Sequence, residues 1–409
     1  TTISFMELRA SKNISSWNIM GKFKFTTASN LNLQSTYTNP DLFFEHSRGY
    51  YNSNNTWYES SSLLINNQIA TQFRIFFGKT NLHWSEGKSS LLISNQCPTF
   101  PLAGFEWDIS DKLNFNYFFG TLSSQIEDTT DLSYKNIDGR KIFLPKSLAG
   151  HEINYKLNNQ ITISAREIVI YGNRKIDENY LLPFIPFWSM QHYIGDLDNI
   201  QMCGEIIWNT KNGTTAHASI LVDEWRPEWT FKSSNRNWFG YLIGIKKSDL
   251  FSKKDYFNIE YIWTDHRIYR HKFPINSSYT YNYPLGFWAG PHSEYFITEY
   301  SRKIIDWETK LEISFLKRGQ LTEEMLSNQY KNILVENIRY LGMDEERIVF
   351  KIDLYKYLYQ NYIKIELGGE WIHWTNPGFN PFNSINIEKK IKKLSLNLGL
   401  SVETDFLFN

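Results

Sequence analysis

The chain has 409 residues, and its 43 basic side chains balance 43 acidic ones, so the formal net charge is zero. This balance argues against a nucleic-acid binder, whose phosphate contacts need a basic surface. No run of 18 apolar residues occurs, which excludes a helical membrane protein. No linker, charge run or low-complexity tract divides the chain, so we expect a single domain over residues 1–409.

Apolar and polar residues alternate in strand-like segments along the chain. Phe73, Ile75 and Phe77 form the first clear example, and a period of two gives a strand one apolar and one polar face. The same pattern recurs in residues 113–119, 307–315, 348–354, 363–371 and 394–402. A water-soluble sandwich would also alternate. Large ionic side chains on the polar face and an aromatic content of 17% favour a membrane barrel with a wet lumen and interfacial aromatic girdles.

Short polar turns alternate with long connections. Short turns are predicted near residues 28–30, 66–68, 110–111, 158–159, 212–213, 304–306 and 359–361. Long connections are predicted near residues 39–55 and 79–102 and over 121–148, 169–202, 223–236, 265–293, 317–346 and 372–392. Outer-membrane barrels show this asymmetry. The sequence therefore predicts an all-β fold: one closed antiparallel transmembrane β-barrel of about 18 strands, within a range of 16 to 20, with short periplasmic turns and long extracellular loops.

The alternation also predicts which side chains face the lumen and which face lipid. The inward set is Arg74, Arg166, Asp353, Lys364 and Glu366, and the lipid-facing set is Phe73, Leu311, Ile352 and Ile365. An even strand count would put both termini on the periplasmic side. Two loop segments rich in proline and aromatics, residues 181–188 and 279–288, look like inward plugs of the lumen. Residues 321–341 fit an amphipathic helix within one outer loop.

Four groups of loop motifs resemble the Wzi-type capsule assembly proteins, which are outer-membrane barrels that bind surface polysaccharide. The groups, in family order, are Phe77-Gly78-Lys79 with Trp84-Ser85-Glu86-Gly87, Leu91 to Asn95 and Pro98 to Pro101; Leu148 to Glu152 with Glu167 to Gly172; Leu182-Pro183-Phe184 with Gln191-His192 and Gly195 to Asn199; and Tyr283 to Gly286 with Gly290-Pro291 and Glu294. They cover roughly residues 70 to 320.

This resemblance implies an 18-stranded barrel in the bacterial outer membrane that binds surface or capsular polysaccharide in a lectin-like manner and supports its assembly or attachment at the cell surface. The expected partners are that polysaccharide, outer-membrane lipid and an outer-membrane protein or lipoprotein. No enzymatic activity, cofactor or nucleic-acid partner is expected. No signal peptide is visible at Thr1, and because such a barrel must be exported, we expect the chain to follow signal-peptide cleavage.

Eight loop residues are candidates for carbohydrate binding because aromatic faces stack on pyranose rings and charged groups hydrogen-bond sugar hydroxyls. They are Trp84, Glu86, Asp223, Glu224, Trp225, Arg226, Trp288 and His292. Each has a structural alternative, since a Trp at a membrane edge is commonly a girdle residue. A charged lumenal residue is commonly half of an ion pair that holds a barrel open.

Catalytic and metal-binding motifs are absent from the sequence. His217 and Ser219 lie two residues apart on a predicted strand, about 7 Å along it, so His217 is better explained as a polar lumenal residue than as a catalytic base. Asp196, Asp198 and Asn199 could hold calcium, but such clusters commonly shape a turn. Two further functions stay open: a diffusion channel and a structural subunit of a larger outer-membrane complex.

Two cysteines, Cys97 and Cys203, are both predicted at the outer end of the barrel. An oxidising compartment permits them to pair. Their flanking strands are several neighbours apart, whereas a disulfide needs Cα atoms within roughly 7 Å. We therefore expect free thiols.

Overall fold

The computed structural model describes residues 2–29, 48–49, 55–130, 141–225, 228, 237–322, 325, 339–359, 362–382 and 389–402. The strands are β1 (Thr2–Ile14), β2 (Trp17–Ser29), β3 (Arg48–Gly49), β4 (Asn55–Ala70), β5 (Phe73–Thr80), β6 (Phe100–Ser110), β7 (Leu113–Glu127), β8 (Phe143–Lys156), β9 (Ile161–Gly172), β10 (Asn199–Asn209), β11 (Thr214–Glu224), β12 (Trp238–Ser248), β13 (Tyr256–Thr264), β14 (Tyr279–Thr280), β15 (Tyr283–Pro284), β16 (Ser293–Ile304), β17 (Trp307–Gly319), β18 (Asp344–Leu358), β19 (Ile363–Thr375) and β20 (Lys390–Val402). Within these described ranges, the short helix α1 (Phe187–Tyr193) and the 3-10 turns Glu178–Leu181 and Pro274–Asn276 lie in connections.

The main sheet contains 18 strands, a number within the predicted range, and β3 in it is two residues long. Its long strands pair antiparallel with their neighbours from β1 to β20. β14 and β15 form a separate hairpin. Among the described residues no pairing joins β20 to β1. In the described part of the chain no helix has the length and apolarity to span a membrane.

Short and long connections alternate as predicted through most of the sheet. The turn after β10 contains Gly213 at a φ of 75°, a conformation that glycine adopts without steric cost. Short connections also follow β6, β8, β16 and β18, and long ones run over residues 81–99, 128–142, 173–198, 225–237, 265–292, 320–343 and 376–389. The predicted helix at residues 321–341 and the loop near 39–55 lie almost entirely outside the described residues.

The predicted turns at residues 28–30 and 66–68 are wrong. β1 turns into β2 at Ser15 and Ser16 instead, and Ser15 takes a φ of 54°. Residues 66–68 lie within β4, where the Asn67 side chain donates to Ser16 Oγ at 3.1 Å. Polar strand residues were thus mistaken for turn residues. Because β1 begins at the long-connection end and β20 ends at the short-turn end, the prediction that both termini share one side is also wrong for the described strands.

The two predicted sets of inward and outward side chains lie on opposite faces of their strands, which confirms the assigned registers. On one face Arg74 pairs with Glu106, and Lys364 pairs with Glu366. On the other face Leu311 lies opposite Ile352 in the register, and both side chains are exposed.

Two hydrophobic clusters occupy opposite faces of the sheet. The first joins Phe118, Ile168, Leu221, Leu242 and other residues of β6 to β17 to the connections at residues 81–99 and 265–292. We call this face the inner face. The second cluster lies on the outer face of β7 to β10 and includes residues of the connection at 173–198. Residues 279–288 therefore fold onto the inner face as predicted. The prediction that residues 181–188 plug the lumen is wrong, because this segment packs on the outer face.

Candidate functional site

The connection between β5 and β6, residues 81–99, folds onto the inner face and is called the inner loop here. Leu91, Leu92 and Ile93 are at most 1% exposed and lie in the inner hydrophobic cluster. Cys97 in the same loop is buried, and burial raises the pKa of its thiol to about 12. The inner loop is thus a packed element of the interior.

Carboxylates from four strands hold the polar groups of the inner loop. The ammonium group of Lys88 lies 2.7 Å from Glu299 and 2.9 Å from Glu312. Glu260 accepts the backbone N–H groups of Lys88 and Ser89. Although burial opposes a charge here, Glu312 and Glu299 raise the pKa of Lys88, so its ammonium form is stabilised.

The fourth carboxylate, Glu205, joins the inner loop to a buried ion-pair network. It accepts the hydroxyl of Ser85 and the backbone N–H of Glu86, both at 3.1 Å. Arg166 lies 2.7 Å from Glu205 and 2.6 Å from Glu152. Buried charges are tolerated when they are paired and hydrogen-bonded, so this network fixes the loop against the wall of the sheet.

The connection at residues 265–292, called the second inner loop, rests on the first. The hydroxyl of Tyr269 donates to Leu91 O at 2.5 Å and accepts from the N–H of Phe287 at 3.0 Å. A Cβ atom on Gly286 would lie 2.1 Å from Leu91 O. Only a residue without a side chain permits this approach, and the two loops therefore form one plug.

A cavity of about 380 Å³ lies between the inner loop and strands β2 and β4. Ammonium, hydroxyl and amide groups dominate its lining, together with one tyrosine. The lining residues are Lys22, Lys24, Thr26, Tyr58, Glu59, Ser60, Ser61, Ser62, Asn81, Asn95, Gln96, Cys97, Pro98 and Thr99. The amide oxygen of Gln96 is buried and has no hydrogen-bond partner among the described residues.

Sequence reasoning missed this cavity. The serine run at residues 60–62 was the sequence signal that could have indicated it. In a strand, such a run lines the surface with small hydroxyl side chains, which leave room for a cavity. Asn95 was interpreted as part of a loop motif, and Gln96 was not considered.

Three of the eight predicted carbohydrate-binding residues are buried in the plug. Trp84 packs edge-on against Phe118 at 5.2 Å between ring centroids, and Trp288 packs edge-on against Tyr295 at 5.5 Å. His292 is 1% exposed, and burial lowers the pKa of its imidazole to about 4. In this arrangement the three rings contact protein and present no open face to solvent.

The other predicted residues are divided between two places. Glu86 lies on the inner loop and pairs with Lys246 at 2.9 Å. Asp223 is buried and accepts the backbone N–H of Tyr269. Glu224 and Trp225 are exposed at the end of β11, and Arg226 lies outside the described residues. The structure does not gather the described members of the set around one pocket.

Wzi of Escherichia coli, an outer membrane protein involved in group 1 capsule assembly and a carbohydrate-binding β-barrel, is similar in structure. It superposes with a TM-score of 0.58 at 11% sequence identity, over 91% of this chain and 75% of Wzi. This chain has the fold of Wzi. OccAB2 of Acinetobacter baumannii matches with a TM-score of 0.48 at 10% identity, over 97% of this chain and 90% of that one. No protein-family model and no curated protein matches the sequence.

The remaining chemical candidates have structural explanations. His217 is buried 4.0 Å from Glu205, and Ser219 donates to Glu205 and not to the imidazole. Asp198 accepts two hydrogen bonds from Arg174, both at 2.6 Å. Both cysteines are free, as predicted. Within the described ranges no group of three potential metal ligands occurs.

Proposed function

We propose that this chain forms a closed barrel in the bacterial outer membrane, binds a surface or capsular polysaccharide in the cavity beside the inner loop, and supports assembly or attachment of that polysaccharide. The cavity carries the proposal, because its lining combines the group types that recognise sugars. Hydroxyl and amide groups bond sugar hydroxyls, and Tyr58 offers an aromatic ring.

Two features of the cavity favour a saccharide, and the first of them favours an acidic one. Lys22 and Lys24 bring ammonium groups to its wall, and that of Lys22 also pairs with Glu7 at 3.2 Å. Charge-assisted hydrogen bonds to carboxylates are stronger than neutral ones. The buried amide oxygen of Gln96 has no partner among the described residues. Buried polar atoms are normally satisfied, so a sugar hydroxyl that donates to Gln96 would remove this deficit. The carbohydrate binding reported for Wzi adds support.

The plug favours binding over diffusion. The inner loop and the second inner loop pack with the side chains of β6 to β17 in one cluster, and a packed interior leaves little room for solute flow. Large stable conductance steps in planar bilayers would contradict this part of the proposal.

Closure and location follow from the same physics. In a bilayer every unpaired backbone group of an edge strand costs several kcal/mol, so membrane-spanning sheets close. The outer face of the sheet carries a band of exposed apolar residues, among them Leu311, Ile313, Phe350 and Ile352. We assign no enzymatic activity and no cofactor to the chain.

The test is a binding titration of the purified barrel with acidic and neutral polysaccharide fragments. Lys24→Gln removes the charge and keeps a polar, slightly shorter side chain. It should weaken binding of the acidic fragment about tenfold, the equivalent of one charge-assisted hydrogen bond, and leave neutral fragments unaffected. Lys364→Gln, on the same face but at the short-turn end of β19, is the matched control. Equal loss in both variants, or no binding by the native barrel, would refute the proposed site.

A further inference from the structure

The connection at residues 173–198, called the outer strap, lies against the outer face of the sheet. The hydroxyl of Tyr117 donates to Tyr180 O at 2.9 Å, and His151 Nδ1 lies 3.1 Å from Pro183 O. Both wall residues occupy the face opposite the inner loop, because the neighbouring positions Phe118 and Gly150 meet Trp84. The outer strap therefore covers a surface that faces away from the lumen.

The outer strap reaches far along the wall. It leaves β9 at the end with the long connections. The ring of Phe184 lies 4.9 Å from that of Phe115 and 6.2 Å from that of Trp107. Phe184 also shares a groove with Ile109 and Leu113, which flank the short turn at the opposite end of the sheet. The strap thus extends past the middle of the wall, to a depth that lipid occupies around a membrane barrel.

Four backbone positions of the outer strap present no unmet hydrogen-bond donor. Pro183 and Pro186 carry no N–H group. The N–H groups of Phe187 and Trp188 donate to the carboxylate of Glu167 at 2.8 and 2.7 Å. Irregular backbone is costly in hydrocarbon because each unmet polar group loses its hydrogen bond to water. The prolines and Glu167 remove much of that cost here.

The free side of residues 181–188 of the outer strap is apolar, whereas exposed Lys175, Glu178, His192 and Asp196 lie outside that segment. Leu182 is 47% exposed, Phe184 61% and Trp188 55%. Exposure of these side chains to water costs about 25 cal/mol for each Å² of apolar surface. In hydrocarbon this cost is absent. The side chains and the backbone of the strap therefore suit the same surroundings.

A groove of about 230 Å³ remains between the outer strap and the wall. Apolar side chains dominate it: Ile109, Leu113, Ile153, Pro183, Phe184 and Pro186. The polar atoms of the imidazole of His151, which also lines it, are taken up by Pro183 O and by Glu167 at 3.0 Å. No charged group is left to select a polar ligand.

We propose that residues 181–188 of the outer strap lie within the bilayer and that the groove beneath them holds one acyl chain of a membrane lipid. The inference rests on the proposed placement of the barrel in a membrane. The groove opens on the same outer face as the apolar band of the wall, so the surrounding hydrocarbon supplies an occupant of matching chemistry.

The position of the strap can be tested with spin labels on the barrel in lipid nanodiscs, in a background that carries Cys97→Ala and Cys203→Ala. Labels are placed by Phe184→Cys on the strap, Ile352→Cys on the distant wall and Asn212→Cys in a short turn. Molecular oxygen, which concentrates in lipid, should relax the labels at 184 and 352. A water-soluble nickel chelate should relax the label at 212.

The outcomes separate the two proposals. A chelate-accessible label at 184 with an oxygen-accessible label at 352 would overturn the strap inference and leave the membrane barrel intact. Chelate access at both positions would overturn the membrane barrel itself. A label at 184 that neither reagent reaches would mean that a second protein or a second copy covers the strap, and this would also overturn the inference.

The groove is tested with a phospholipid that carries a photoreactive group on its acyl chain. Cross-links in the native barrel should map to residues around Phe184 and Ile153. Leu113→Trp should fill the groove and abolish this labelling, whereas Ile243→Trp, on the outer face of distant β12, should leave it unchanged. Labelling spread evenly over the wall, or unaffected by Leu113→Trp, would show that no acyl chain occupies a defined groove.

Discussion

The inner loop and the outer strap leave the same end of the sheet and fold in opposite directions. The inner loop brings backbone N–H groups and Lys88 to carboxylates of the strands. The strap replaces two N–H groups by proline and brings two others to the single carboxylate of Glu167. A connection thus folds toward the face on which its polar backbone finds partners, and apolar content alone does not decide the direction.

The largest effect is expected where the inner loop depends on buried charge. Glu205→Ala removes the partner of buried Arg166 and the acceptor for Ser85 and Glu86. It should lower the free energy of unfolding by about 3 to 5 kcal/mol, as for other broken buried ion pairs. Urea titration in lipid vesicles measures the change. Glu366→Ala, at a partly exposed pair, is the control and should cost at most about 1 kcal/mol. Equal effects would contradict the anchoring role of Glu205.

Acid should loosen the second inner loop. Burial lowers the pKa of His266 and of His292 to about 4 from an ordinary value of 6.5. The unfolded chain therefore binds protons first as the pH falls. The stability that the neutral imidazoles provide is complete above about 6.5 and is lost as the pH falls through about 4, by up to about 3 kcal/mol for each histidine.

Limited proteolysis between neutral pH and pH 4 tests this expectation, with cleavage outside residues 265–292 as the internal reference. His292→Gln should flatten the pH dependence of cleavage in residues 265–292. A pH dependence that the substitution leaves unchanged would assign the effect to other groups.

A methyl group at Gly286 should separate the two inner loops. Because a Cβ atom there would lie 2.1 Å from Leu91 O, Gly286→Ala should cost about 1 to 3 kcal/mol, the usual range for overpacking. Hydrogen exchange should rise in residues 88–94. Gly204→Ala is the control, since its Cβ atom would meet no atom closer than 3.8 Å. Unchanged exchange in the inner loop would show that it adapts without the contact.

The smallest effect is expected at the strap. Glu167→Gln keeps one acceptor oxygen but removes the charge that accepts the N–H groups of Phe187 and Trp188. Loss of such a helix cap costs about 1 kcal/mol. Hydrogen exchange should increase in α1 and stay unchanged in the inner loop. A change in both regions would mean that the two connections are coupled through β9.

Strand faces were predictable because residues such as Leu311 and Ile352 repeat every second position. The direction of the outer strap was not, since the same prolines and aromatic residues suit a lumenal plug or an outer wall. The informative residue was Glu167, a carboxylate at an outward position of β9. Its meaning depends on Phe187 and Trp188, which are 20 and 21 residues away.

The candidate site was less accessible to sequence reasoning than the fold. Trp84 and Trp288 suggest sugar platforms, but their packing depends on Phe118 and Tyr295, which come from other strands. The cavity forms where the inner loop packs beside the serines of β4. A contact between segments that are distant in the chain leaves no local sequence pattern. The alternation of apolar and polar residues therefore predicts the face of the sheet on which a side chain lies. The residues that it contacts there come from distant parts of the chain and are not predicted.

The anchoring of Lys88 also bears on the order in which the molecule assembles. Its partners Glu299 and Glu312 lie 211 and 224 residues further along the chain. Contacts of such long sequence separation form slowly, because the chain between them must be ordered first. The inner loop can take its final place only after β16 and β17 have joined the sheet. The inner face of the nascent sheet would therefore stay uncovered until most of the strands have paired.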